Sequence, residues 1–265
     1  MVNGNDIIVW NDFDIKDYNT AINNAVAYAI LSVPYTYDRL GLGNSVDGIR
    51  ERIRNITKGK VAEYLFETYC KSKGINISRK KNETPFWRYD KNDFVINGTT
   101  IDVKNNIIRG GNEFIREEVL NFPALVPCDQ VEKTKPGNFA YVFTFMLDND
   151  FFTIDLTDET LRYIGQLNNN CSGKQLYSKP SYYKDKRSYF IGLFNRFGGM
   201  NKQKIAIINN HPDLIIGGVK SFDNGFKNDF NIVDGGTLFK YESGHIKTRV
   251  KNYMTEVKNL ETFNF

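Results

Sequence analysis

Cysteine and histidine are scarce in this 265-residue chain. There are three cysteines (Cys70, Cys128, Cys171) and two histidines (His211, His245). The odd cysteine count and the lack of a Cys-x-x-Cys pair argue against a disulfide framework and against a zinc site. They favour a reducing, cytoplasmic setting. Two histidines far apart in sequence leave little room for histidine-pair chemistry, and both are expected to be structural or surface residues. No stretch approaches the roughly eighteen apolar residues that a membrane-spanning helix needs. The N-terminal segment MVNGNDIIVWNDFDIKD has neither a basic n-region nor a long apolar core, so no signal peptide is expected. There is no internal repeat and no low-complexity linker. The excess of one charge sign is small, +4, which is compatible with nucleic acid but does not demand it.

What is abundant is apolar and aromatic: 41% hydrophobic residues, with 20 Phe and 15 Tyr. That composition describes a folded globular chain, and the length fits one large domain with a substantial core. Residues 16–33 have helical spacing and stop before Pro34. Residues 46–57 form a second helical stretch with Ser45 or Asp47 as cap, and Lys58-Gly59-Lys60 either interrupts it or opens the next. Residues 60–73 form a helix closed by Gly74, with Ala62, Leu65, Phe66, Tyr69 and Cys70 on its apolar stripe. Glu63 lies at the margin of that stripe, and Glu67 points further toward solvent. Residues 107–111 read as a glycine-containing loop and 112–121 as a short helix. Residues 139–147 (FAYVFTFML) read as a buried central strand with 151–156 as its hairpin or near neighbour. Residues 157–166 read as a helix. Residues 204–208 and 213–219 fit strand or helix equally, the polar tail 240–265 reads as α/β decoration, and 247–251 (KTRVK) reads as a charged helix face. The order predicts an α/β domain with a mixed central sheet.

The segment Asp93-Phe94-Val95-Ile96-Asn97-Gly98-Thr99-Thr100-Ile101-Asp102-Val103-Lys104 carries the chemistry. Asn-Gly between two apolar-rich runs is the strongest short hairpin signal. A two-residue turn there pairs Ile96 with Thr99, Val95 with Thr100, Phe94 with Ile101 and Asp93 with Asp102. Two carboxylates then face each other, which is unfavourable unless a cation relieves it, and Lys104 projects from the same face. Phe94, Ile96, Ile101 and Val103 form the other face, suited to packing under a helix.

Asp-x(8)-Asp-x-Lys, preceded by a helix bearing Glu, resembles the PD-(D/E)xK nuclease superfamily, to which most type II restriction endonucleases belong. The resemblance covers about residues 58–147 and is clearest over 59–104; Asn92 stands where the motif has proline, and Asp90 is a reserve acid. It implies a restriction-endonuclease-like core with a mixed central β-sheet flanked by helices, plus N- and C-terminal elaborations. The whole chain, 1–265, would be one nuclease domain, with a catalytic core over about 45–165 and a C-terminal elaboration over about 166–265 as a candidate DNA-recognition region. It implies Asp93, Asp102, Lys104 and Glu63 as catalytic residues. Mg²⁺, with Mn²⁺ as substitute, would be held by Asp93, Asp102, Glu63 and the Val103 carbonyl, while Lys104 would orient or activate the attacking water. Some members carry a Gln or Lys in the helix before the core strand, a place that Gln130 or Lys133 could fill.

The activity implied is Mg²⁺-dependent hydrolysis of double-stranded DNA by a homodimeric, sequence-specific type II restriction endonuclease, with a cognate DNA methyltransferase as functional counterpart rather than bound subunit. A repair or junction-resolving nuclease of the same superfamily and a non-catalytic DNA-binding module are the alternatives. Candidate DNA contacts are Arg109, Lys133, Lys179, Lys184, Lys186 and Arg187. The last four interleave with tyrosines in 177–189 (YSKPSYYKDKRSY), where lysines meet phosphates and tyrosines stack or pack; a solvated loop with tyrosine anchors is the other reading.

Overall fold

The computed structural model describes residues 1–33, 38, 41–79, 93–111, 113–132, 134, 136–170 and 206–265. A first short strand, β1 (Ile8–Trp10), leads into helix α1 (Ile15–Ser32), capped by the Asp14 carboxylate, which accepts from the Lys16 N–H at 2.7 Å. Helix α2 spans Val46–Ser72 without a break. Lys58-Gly59-Lys60 therefore does not interrupt it. A mid-helix glycine costs about 1 kcal/mol against alanine, and the buried residues on both sides of it (Ile49, Ile53, Val61, Ala62, Leu65, Phe66) outweigh that. Ser45 is the cap, accepting from Gly48 N–H at 3.1 Å. Gly74, at φ +71°, ends the helix; its N–H donates to Lys71 O at 3.1 Å and that of Ile75 to Cys70 O at 2.9 Å.

Strands β2 (Ile77–Arg79), β3 (Phe94–Ile96) and β4 (Thr99–Arg109) follow. β3 and β4 pair Ile96 with Thr99, Val95 with Thr100 and Phe94 with Ile101, as the Asn-Gly turn requires. Asn97 and Gly98 both take positive φ, +47° and +83°, which matches the right-handed twist of the flanking strands. β4 continues to Arg109, so Ile107–Arg109, expected in a loop, are strand. Short helix α3 (Arg116–Val119), strand β5 (Pro123–Pro127) and short helix α4 (Cys128–Val131) make the crossover to β6 (Phe139–Asp148). β6 runs parallel to β4, from Thr100 beside Phe139 to Arg109 beside Asp148.

Among the described residues β7 (Phe152–Ile154) does not return along β6 but pairs with β8 (Ala206–Ile208), and helix α5 (Asp158–Asn170) follows β7 in the chain. β9 (Leu214–Ser221) lies antiparallel to β6. Gly217 is the extra residue where that register shifts, and a Cβ there would stand 2.8 Å from the Phe145 ring. The tail is β rather than α/β: β10 (Asn231–Val233), β11 (Leu238–Tyr241), β12 (Gly244–Lys247) and β13 (Asn252–Glu256), with one short 3-10 turn. The run 247–251 is accordingly not a helix face. Thr248 is buried, its hydroxyl donating to Asp234 O at 2.7 Å, and Arg249 turns to Glu51 at 2.8 Å. These long-range contacts have no trace in the local charge pattern.

The architecture is α/β. The central eight-stranded mixed sheet has the order β1-β9-β6-β4-β12-β11, with β2 and β3 attached through β4. The C-terminal part thus supplies β9, β11 and β12 to the same sheet as the hairpin. Alternate residues of β6 feed two cores. Ala140, Val142 and Met146 pack with α1, α2 and α5 on one face. Tyr141, Phe143 and Phe145 pack on the other face with β5, α3, α4 and the Phe222/Phe226 pair. β5 belongs to a three-stranded sheet, β10-β13-β5, that covers this second face.

One charged pair fixes α2 over the sheet. Lys58 Nζ is 2.7 Å from Asp148 Oδ1, with 4% and 10% of the side chains exposed. Burial pulls the Lys58 pKa down, and the hydrogen bond and charge of Asp148 push it partly back. Lys58→Ala would strand the Asp148 charge and is expected to cost about 3 kcal/mol, read as a lower urea midpoint at constant slope. A loss below about 1 kcal/mol, the size of an exposed pair, would show that Arg54 and Arg109, at 3.9 and 4.0 Å, take over its role.

Candidate active site

Strand β4 changes partners along one edge. Its start pairs with β3, its end meets β12 at His245 beside Arg109, and β6 covers the other edge throughout. Among the described residues no strand covers the first edge between Ile101 and Arg109. Asp93 occupies the start of that gap. Its N–H donates to Ile101 O at 3.0 Å, although Ile101 already pairs with Phe94. The ladder therefore does not continue to a simple Asp93–Asp102 pair, as the turn register predicts. The Asp93 carboxylate instead accepts from the Val103 N–H at 2.7 Å, taking the place of the next ladder acceptor. By the alternation of a strand, the Val103 carbonyl points to the same edge.

Charged groups from both faces meet at this gap. Asp102 lies on the Tyr141 face of β4, and both its oxygens accept from Lys104 Nζ at 2.7 Å. The Lys104 ammonium also lies 5.4 Å from the centre of the Tyr141 ring. From the helix face comes Glu63, whose Oε2 accepts from Lys60 Nζ at 2.7 Å. All four of these side chains are mostly withdrawn from water, between 12% and 17% exposed. Asp93 senses all of them. Burial, then the charges of Glu63 and Asp102, hold its carboxyl well above the usual range, while Lys60 and Lys104 pull it back.

The structure therefore brings Glu63, Asp93, Asp102 and Lys104 into one electrostatic cluster. It also adds Lys60, a residue that the hairpin spacing does not reveal. The signal available for Lys60 was its position three residues before Glu63, one turn away on the same helix. Glu67 does not point to solvent as its position on the wheel suggests. It is 14% exposed and bonded to Arg79 and Lys71, each at 2.7 Å, because β2 lies alongside the end of α2. Asn138 was also not legible. Its side chain accepts from Thr99 Oγ1 and donates to Gly98 O, both at 2.9 Å, and its carbonyl accepts from Thr100 N–H at 3.0 Å, so it clamps the turn to the start of β6.

Arg109 is not part of the cluster. It ends β4 beside Glu51 at 3.7 Å and Asp148 at 4.0 Å. Gln130 lies on the Lys104 face: Thr134, one turn on, meets the Tyr141 hydroxyl at 3.3 Å, and the Gln130 Oε1 is buried without a hydrogen bond. Lys133, Lys179, Lys184, Lys186, Arg187, Asp90 and Asn92 lie outside the described residues.

The donor set is all oxygen, which suits a hard divalent cation. Asp93 is the telling group, a carboxyl withdrawn from water beside two others, a charge arrangement that a cation would relieve. As the side chains stand, no three His, Cys, Asp or Glu residues among those described are drawn into a coordination group. Glu63 and Asp102 are each closed onto a lysine instead. The residues thus fit such a cation in kind, and the two lysines hold positions around which it would have to be accommodated.

No family model matches the chain, and no curated protein or solved structure matches it. Among the described residues, no helix is long and apolar enough to cross a membrane.

Proposed function

We propose that this protein is a divalent-cation-dependent endonuclease acting on double-stranded DNA, built on a restriction-endonuclease-like core, and that it acts as a sequence-specific type II restriction enzyme. The observation that carries the reading is the convergence of Glu63, Asp93 and Asp102 with Lys104 along β4 just beyond its pairing with β3. Three carboxylates crowded away from water destabilise one another. Such an arrangement points to a functional site.

Asp93, Asp102, Glu63 and the Val103 carbonyl would hold Mg²⁺ or Mn²⁺. When bound, such an ion polarises a phosphate oxygen and lowers the pKa of a coordinated water. Val103 N–H keeps the Asp93 carboxylate oriented toward the edge. Lys104 is held between Asp102 and the Tyr141 ring, where its ammonium can orient the attacking water and balance charge as the phosphorus becomes five-coordinate. Asn138 keeps the hairpin from drifting. Cutting both strands needs two such sites, so we propose a homodimer, with two-fold symmetry matched by a palindromic DNA site. The net charge of +4 is compatible with a DNA-binding enzyme, and we propose a cytoplasmic one whose functional counterpart is a DNA methyltransferase.

The test is digestion of a mapped supercoiled plasmid with Mg²⁺, Mn²⁺, Ca²⁺ or EDTA, followed by run-off sequencing of the ends. Discrete fragments with Mg²⁺ and none with EDTA are the expected result. Cleavage confined to branched substrates would move the protein to the junction-resolving nucleases. Binding to DNA with no cleavage under any metal would leave a DNA-binding module.

A further inference from the structure

The nuclease reading uses one lysine, and the structure places two in the cluster. Lys60 Nζ stands 2.7 Å from Glu63 Oε2 and 4.9 Å from the centre of the Tyr28 ring, and its side chain is only 14% exposed. An ion pair one helical turn apart adds little stability in water, and drawing both ions out of water penalises them. That ion pair by itself gives folding little to gain from a lysine at this half-buried position. Charge offers a reason: with all five groups ionised (as a bound cation would require of Asp93), Glu63, Asp93 and Asp102 against Lys60 and Lys104 sum to one net negative charge. A divalent cation would turn that into one net positive charge, equal and opposite to an internal phosphodiester. Without Lys60 the loaded site would be neutral.

We propose that Lys60 is a second functional lysine of this site, one that holds Glu63 in the metal-free protein and supplies the charge that makes the loaded site attractive to a phosphodiester. This rests on the nuclease reading. It acts at two points of opposite sign. Lys60 competes with a cation for the Glu63 carboxylate and repels it, so it weakens metal binding. The same charge favours the anionic substrate, so it strengthens DNA cleavage. A residue that merely supports the fold would move both in one direction.

The experiment compares the wild-type protein with Lys60→Gln and Lys60→Arg. Mn²⁺ affinity is measured by calorimetry without DNA, and single-turnover cleavage of plasmid is measured separately. Lys60→Gln is expected to bind Mn²⁺ about tenfold more tightly, from the loss of one positive charge a few ångströms away. It is also expected to cut at least about tenfold more slowly. Lys60→Arg, which keeps the charge, should return both quantities toward the wild type. Unchanged or weaker Mn²⁺ binding by a folded Lys60→Gln protein overturns the proposal, and so does cleavage at the wild-type rate. A wild-type protein that binds Mn²⁺ but cuts no DNA would remove the nuclease reading instead, while the Mn²⁺ comparison would still decide whether Lys60 governs the cation.

Discussion

Asp102→Asn and Lys104→Met are each expected to reduce Mg²⁺-dependent DNA cleavage by at least about 10²–10³-fold, the typical loss of one preorganised charge contact at a reacting phosphate. The two side chains form one unit: both Asp102 oxygens bond Lys104 Nζ at 2.7 Å, and the pair is seated against Tyr141 in the middle of the sheet. Asparagine keeps the shape and one acceptor for Lys104 while removing the charge that would bind a cation. Methionine keeps the volume of the lysine stem and removes the ammonium. Folding should survive in both variants, because neither side chain belongs to the apolar clusters on the two faces of the sheet. DNA binding in Ca²⁺ should survive in Lys104→Met and provides the control. Cleavage within about threefold of the wild type, with a native circular dichroism spectrum, would remove Asp102 and Lys104 from the chemistry and with them the proposed function.

Asp93→Asn is expected to abolish cleavage and, in the absence of metal, to raise the melting temperature at neutral pH. Folding takes the Asp93 carboxyl out of water and sets it beside Glu63 and Asp102, so its pKa in the folded protein lies above that in the unfolded chain. The folded state then binds more protons than the unfolded state between those two values. Stability contributed by this group is present below the unfolded value and is lost as the pH rises through the folded one. Asparagine has no charge to bury and still offers an oxygen to Val103 N–H, so the variant escapes the loss. The gain should vanish at acid pH, where the wild-type carboxyl is protonated too. Each kcal/mol relieved corresponds to about 2–4 °C for a domain of this size class. Added Mg²⁺ or Ca²⁺ should reverse the order, stabilising the wild type by binding the folded state while leaving Asp93→Asn unchanged. Thermal unfolding across pH, with and without the metal, reads all of this. A variant less stable than the wild type at neutral pH would mean that the Val103 bond matters more than the repulsion.

The hairpin was legible because its determinants are local. Asn97 and Gly98 favour positive φ, so the turn and the first three pairs follow from four adjacent residues. The helix stop at Gly74 and the apolar strand over 139–147 were legible for the same reason. β2, β5 and the strands of the tail were not. They are three to five residues long, they carry no strict alternation, and their pairings depend on partners distant in the chain, as in β5 with β13. The charged run 247–251 misled because its pattern is set by burial of Thr248 and by Glu51, some two hundred residues away in sequence. Lys60 and Asn138 escaped because the reason for each lies on another element.

The sequence by itself determined an acidic hairpin, an upstream helix with Glu63 at the edge of its apolar stripe, and a buried strand to follow, because turn conformation and helical or strand periodicity are properties of neighbours. Only the tertiary structure decided that the pairing of β4 with β3 ends at Ile101, that Asp93 turns its carboxylate to Val103 there, and that Glu63 and Lys60 reach the same place from the opposite face of the sheet to Asp102 and Lys104. Those facts depend on which strand ends where and on the path of α2 across the sheet, and such geometry is set by packing among segments that no local pattern connects.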